Sequence, residues 1–141
     1  MKHRLGLVAV LIVVVGSFVA AQQPATAPAK ISVLIITGQN GHDWRASTPA
    51  LRQVLEDTGR FEVRVTEEFR GASADTLAPY DLVIVNYYER GRPELRWGER
   101  ANTALADFVS SGKGLAIYHF AVAAFDGWTE YETLAARMWV P

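Results

Sequence analysis

The chain has 141 residues, half of them hydrophobic, a formal net charge of -1 and no cysteine. That length holds one domain and not two ordinary ones, and the charge argues against nucleic acid as a partner, which needs a basic face to displace counterions. The lack of cysteine excludes disulfides, thiolate metal sites, a thiol nucleophile and a lipoprotein anchor.

The first stretch reads as an export signal: Lys2, His3 and Arg4 are positive, Leu5 to Val15 are apolar, and Val19-Ala20-Ala21 present the small residues a signal peptidase recognises. Cleavage is expected after Ala21, leaving a periplasmic or secreted protein with no stable membrane association. Residues 22–30 contain Pro24 and Pro28 and no large apolar side chain, so they read as a flexible linker. The folded domain is expected over 31–141.

Ile31 to Thr37 is an almost unbroken β-branched and apolar run, as in a strand buried on both faces. Thr48-Pro49 then supplies a helix cap and a first helical turn, and Leu51, Val54 and Leu55 share the face that should point inward until Gly59. Phe61, Val63 and Val65 alternate with polar residues, as in an edge strand. Gly71 to Pro79 reads as a connection with at most one helical turn. A second buried strand follows at Leu82–Val85. The spacing predicts a helix from Pro93 or Glu94 to Ser111, with Ala101, Leu105, Phe108 and Val109 inward. Arg90, Arg92, Arg96 and Arg100 read as solvated surface. Gly114–Tyr118 reads as a third central strand, and Thr129–Met138 as the start of another helix.

Alternating strands and helices call for right-handed crossovers and a parallel sheet, α/β and flavodoxin-like, with helices on both faces. In that arrangement the first strand lies between the second and third, and ligands bind beyond the carboxyl ends of the strands. The loops after Thr37, Val85 and Tyr118 then meet, which would bring His42, Asp43, Asn86, Tyr87 and His119 together. His42 and Asp43 suit a general base with an orienting carboxylate; with His119 they also suit a divalent metal such as zinc. Loop hydrogen bonding or helix capping is the plainer role for the pair. Trp44, Tyr87, Phe125 and Trp128 suit the faces of a sugar ring, with Asn40 and Asn86 for its hydroxyls, although Phe125 and Trp128 serve equally well as core. Asn40-Gly41 reads as a turn with Gly41 at positive φ, and Gly38 as a point where a ligand approaches the backbone. No Walker or Rossmann glycine pattern is present.

Val33 to Arg45, the Thr48-Pro49 helix start, Tyr80-Asp81-Leu82-Val83, and Gly112 to His119 followed by Ala124-Phe125 and Trp128 resemble the ThuA-like (trehalose utilisation) family over about residues 31 to 139. The resemblance implies a fold similar to class I glutamine amidotransferases and an association with bacterial sugar metabolism. Where those amidotransferases carry a cysteine nucleophile in a strained turn, this chain has His119, so glutaminase activity is excluded. Without flanking glycines, the turn at His119 is expected to be ordinary. The family domain continues past the equivalent of Pro141, so the fold is expected to be incomplete at its C-terminus. Leu115-Ala116-Ile117 would then form a sheet edge, to be covered by an oligomeric partner or a missing C-terminal segment. The function expected is action on a carbohydrate or glycoside derivative, by hydrolysis or another sugar-modifying reaction. The alternatives are a non-catalytic sugar-binding module and an inactive fragment of a larger domain.

Overall fold

The computed structural model describes residues 28–136. The expected signal (1–21), most of the expected linker (22–27) and residues 137–141 lie outside this range. Four strands, β1 (Ile31–Ile36), β2 (Phe61–Thr66), β3 (Leu82–Val85) and β4 (Gly114–Ile117), form one sheet in the order β2-β1-β3-β4. Every neighbouring pair is parallel, with Val33 opposite both Val63 and Leu82, and Val83 opposite Leu115. This is the expected flavodoxin-like order, with β1 in the interior.

Side chains alternate across a strand, so the unbroken apolar runs of β1 and β3 feed two cores. Leu34, Ile36, Val83 and Val85 face a layer built on α2 (Ala74–Leu77), α3 (Glu99–Ser110) and α4 (Thr129–Leu134). Val33, Ile35 and Ile84 join Val63 on the opposite face, beneath Leu51 and Leu55 of α1 (Trp44–Asp57). Each such side chain removed from water contributes about 1.5–3 kcal/mol before the entropy of ordering it is subtracted.

α1 begins five residues earlier than Thr48-Pro49 suggests. Asp43 is its N-cap, its carboxylate accepting the Ala46 N–H at 3.1 Å, so Pro49 falls inside the helix. There it deprives the Arg45 carbonyl of its helical donor, a loss tolerated on a turn where Arg45, Pro49 and Ala50 are all exposed. The earlier start also rotates the helix face. Val54, expected inward, is 66% exposed, whereas Thr48 is buried.

The single long helix expected from Pro93 is two pieces, a 3-10 turn (Pro93–Leu95) and α3, separated by Arg96, Trp97 and Gly98. Gly98 has φ 85, a backbone conformation that interrupts a right-handed helix. Trp97 uses the break to enter the core beside Phe69, Tyr87 and Phe125, with ring centroids 4.8, 5.3 and 4.4 Å away. β4, apolar enough to read as central, is the sheet's edge among the described residues, and its four residues are half-buried. α4 accounts for the described part of the last expected helix.

Candidate functional site

The carboxyl ends of β1 and β3 are joined by a buried polar network. The Asn40 amide donates to Asn86 Oδ1 at 3.0 Å, and the Asn86 amide donates to Thr48 Oγ1 at 3.1 Å and to Ser47 Oγ at 3.2 Å. Thr48 Oγ1 lies 2.9 Å from Thr37 Oγ1. Thr37, Asn40, Thr48 and Asn86 are all buried, and a buried amide is retained only where its hydrogen bonds are made. Asn40 Oδ1 in turn accepts the backbone N–H of His42 at 3.2 Å, fixing the loop that carries the imidazole. The β1 loop therefore needs no positive φ at Gly41; the residue with that conformation is Gly38, at φ 107. A Cβ on Gly38 would lie 2.5 Å from the Glu67 carbonyl oxygen. Gly38 thus permits close approach of the chain leaving β2, rather than of a ligand.

His119 follows β4 and opens a 3-10 turn, His119–Ala123, with φ 52. A non-glycine residue there is strained by roughly 1–3 kcal/mol, and such residues gather at functional sites. The turn expected to be ordinary is therefore a strained one. It is held from below: Tyr131, fully buried, donates its hydroxyl to the Ala121 carbonyl at 2.9 Å. Both carboxylate oxygens of Glu89, 1% exposed, accept the Phe125 N–H at 2.9 and 3.0 Å. Arg96 donates to the Asp126 carbonyl at 2.6 Å and approaches Glu89 to 3.8 Å. Arg96 therefore ties two loops together rather than lying free on the surface.

The result is a hollow of about 180 Å³ lined by Asn40, His42, Ser47, Asn86, Tyr118 and His119. The two imidazoles meet edge to face, with centroids 4.7 Å apart and planes at 89°. His42 also packs on the edge of Phe120 at 5.1 Å. Both imidazoles are exposed to solvent.

Of the residues singled out in the sequence, Asn40, His42, Asn86 and His119 line this hollow; the others are elsewhere. Asp43 caps α1. Trp44, 8% exposed, carries the Arg45 guanidinium 4.1 Å above its ring and lines a separate hollow with Thr37 and Pro49. Tyr87 is buried, donates its hydroxyl to the Leu95 carbonyl at 2.5 Å and stacks near Phe125. Phe125 is core, and Trp128 packs across it and Tyr131. With Asp43 turned to Ala46, the imidazole pair has no third ligand among the described residues. Among the described residues no group of three or more His, Asp or Glu is placed to hold a metal ion.

The sequence reading missed Ser47 and Tyr118. Tyr118 was signalled by its place at a strand end beside His119. Ser47 was not, because it reaches the hollow only when α1 starts at Trp44. Glu89 was also missed, since a carboxylate in a polar loop gives no sign of burial.

A parallel α/β sheet with paired imidazoles at its carboxyl edge defines a class of protein, and the comparisons narrow it. The family model described as ThuA, trehalose utilisation, matches residues 32–139. The chain belongs to the ThuA family. It is similar to a ThuA-like protein from Parabacteroides merdae, whose crystal structure aligns with 35% identity and a TM-score of 0.62, covering 73% of this chain and 37% of that one. The chain thus spans little more than a third of that protein's length. A comparison with curated proteins gave no match.

Proposed function

We propose that this is an exported ThuA-like protein, periplasmic or secreted, that acts on a carbohydrate or glycoside derivative through proton transfer by His42 and His119. The observation that carries the reading is the edge-to-face contact of the two imidazoles, centroids 4.7 Å apart, in the lining of a hollow at the sheet's carboxyl edge. An imidazole accepts and donates protons near neutral pH, and two around one small hollow can serve opposite ends of a proton transfer. His119 receives support from its strained backbone, and His42 from the fixed Asn40 amide. Ser47, Asn40 and Asn86 offer hydroxyl and amide groups suited to sugar hydroxyls.

The lining also narrows the reaction. Most glycoside hydrolases use a pair of carboxylates, and among the described residues no carboxylate lines this hollow. Deprotonation of a sugar hydroxyl, or of carbon beside a carbonyl, fits the imidazole pair better than hydrolysis by that carboxylate route. The non-catalytic binding module loses most of its aromatic platform, because Tyr87, Phe125 and Trp128 pack with the core and, among the described residues, Tyr118 is the one Tyr, Trp or Phe lining the hollow. His42→Ala and His119→Ala, assayed on a panel of disaccharides and oxidised sugars, test the reading. Turnover lost by about 10²-fold or more, with binding retained, is expected for acid-base residues. Unchanged turnover and binding in both variants would remove the imidazoles from any mechanism.

A further inference from the structure

The Asn40 side chain fixes the backbone at His42 but not the direction of its ring, since the bond it accepts comes from the backbone N–H. An exposed imidazole on such a loop has several staggered orientations open to it. The pair with His119 forms only in those that turn the ring toward the β4 loop.

Two rings hold it there. His119 meets the His42 imidazole at 4.7 Å and 89°, and Phe120, the next residue, meets it at 5.1 Å and 85°. Both belong to the strained turn His119–Ala123. Phe120 is itself gripped by the other two loops. The Tyr88 ring lies across it at 4.9 Å and 79°, and a Cβ on Gly41 would lie 3.4 and 3.5 Å from Phe120 Cε1 and Cδ1. Gly41 is not among the glycines with positive φ, so what glycine provides there is room for this ring. Tyr88 also donates its backbone N–H to the Gln39 carbonyl at 2.9 Å. Phe120 is therefore where the loops after β1, β3 and β4 meet, and each of these loops supplies residues to the histidine hollow. Phe120 is half-buried beside that hollow and is not part of its lining among the described residues. It acts on the site through the imidazole it touches. Edge-to-face packing at these separations is favourable enough to shift a rotamer population about 2- to 10-fold.

We propose that Phe120 is a positioning residue for His42: its ring, held between Gly41 and Tyr88, keeps the imidazole turned toward His119. The effect on turnover rests on the proton-transfer reading given above, whereas the orientation of the ring is measured independently of it.

The experiment compares Phe120→Leu, Phe120→Tyr and Tyr88→Leu with the native protein, each as the isotope-labelled full chain. It reads the χ1 coupling constants of His42 and the nuclear Overhauser contacts between the His42 and His119 rings, then turnover on the panel of disaccharides and oxidised sugars. Phe120→Leu removes the ring at similar volume. It is expected to average the His42 couplings, to weaken the contacts with His119, and to lower kcat about 2- to 10-fold at unchanged KM. Phe120→Tyr keeps the ring and is expected to restore all three. Tyr88→Leu removes the ring that packs on Phe120, and the same changes are expected in smaller measure; it decides the matter if Phe120→Leu has no cooperative melt. Native couplings and contacts at His42 in the folded leucine variants would overturn the positioning role. Phe120→Tyr as disordered at His42 as Phe120→Leu would overturn it too. Averaged couplings with kcat unchanged would uphold the control of the ring by Phe120 and overturn proton transfer by His42 instead.

Discussion

The two faces of the sheet are built very differently. On one, α2, α3, α4 and the loops after β2, β3 and β4 bury a continuous aromatic mass of Phe69, Tyr87, Trp97, Phe108, Phe125 and Tyr131. On the other, among the described residues, the fully buried cluster is Val33, Ile35, Val63 and Ile84, under the single helix α1. The histidine hollow opens on this thinner side, where Ser47 and His42 belong to α1 and the loop that enters it. Of the aromatic residues that resemble a sugar platform in sequence, Tyr87, Phe125 and Trp128 form the foundation of the thicker side. The polar residues of the thin side are left to carry the chemistry, on backbone that the aromatic layer holds in place through Tyr131 and Ala121.

That contrast can be broken most forcefully at Phe125. Its ring lies within 4.4–6.0 Å of the rings of Trp97, Tyr131, Trp128 and Tyr87. Phe125→Ala is expected to lower unfolding free energy by about 3–5 kcal/mol. Val54→Ala, on the outer surface of α1, should change it by less than about 0.5 kcal/mol; urea denaturation measures both. Equal losses would mean that the thick face is not where stability resides.

Gly38→Ala tests the junction between β1 and β2. The added methyl would meet the Glu67 carbonyl oxygen at 2.5 Å, at a φ of 107 that side chains rarely adopt. A loss of about 2–3 kcal/mol is expected from strain alone, read from the same denaturation midpoint. A neutral result would show that the two loops can move apart.

His119→Gly sharpens the comparison in the opposite direction. Glycine accepts φ 52 without strain, so the variant is expected to be more stable by up to about 1 kcal/mol while losing turnover. Stability and activity would then change in opposite senses at one residue. A destabilised variant would mean that the imidazole contributes more to packing than its exposed position implies.

A pH dependence is expected from Tyr131. Burial pushes its hydroxyl well above the usual 10.0, with the nearby Glu89 carboxylate adding to the rise. Because the folded value is raised, the stability is fully present below pH 10 and is lost as pH rises beyond it, when the unfolded chain releases a proton that the folded chain keeps. The loss should reach about 1.4 kcal/mol by pH 11. Thermal melts of the native protein and Tyr131→Phe between pH 8 and 11 separate this residue from other tyrosines. Parallel pH curves for the two proteins would place the alkaline loss elsewhere.

Much of the fold follows from local pattern. The runs Ile31–Ile36 and Leu82–Val85 are apolar at consecutive positions, which only a strand covered on both faces can bury. With Gly59 and Gly112 closing the helices, a parallel sheet with interior β1 leaves few alternatives. The meeting of Asn40, His42, Asn86 and His119 follows from that topology. The sequence by itself therefore determined the strands, their order and the rim where four of the candidate residues meet, because hydrophobic periodicity acts over a few residues and crossover handedness is fixed.

Tertiary structure decided what each rim residue faces. Asp43 became a cap because α1 starts at Trp44, and Thr48, inside the helix, joins a buried network with Asn86 some forty residues away. Trp97 entered the core because Gly98 divides the expected helix, and Tyr87 and Phe125 followed it inward. The strain at His119 depends on Glu89, Arg96 and Tyr131, whose bonds fix the segment behind it. An aromatic side chain is equally suited to a core or a sugar face, and a short polar side chain equally to a cap or a catalytic site. Composition leaves that choice open, and only the distant partners that each side chain meets resolve it.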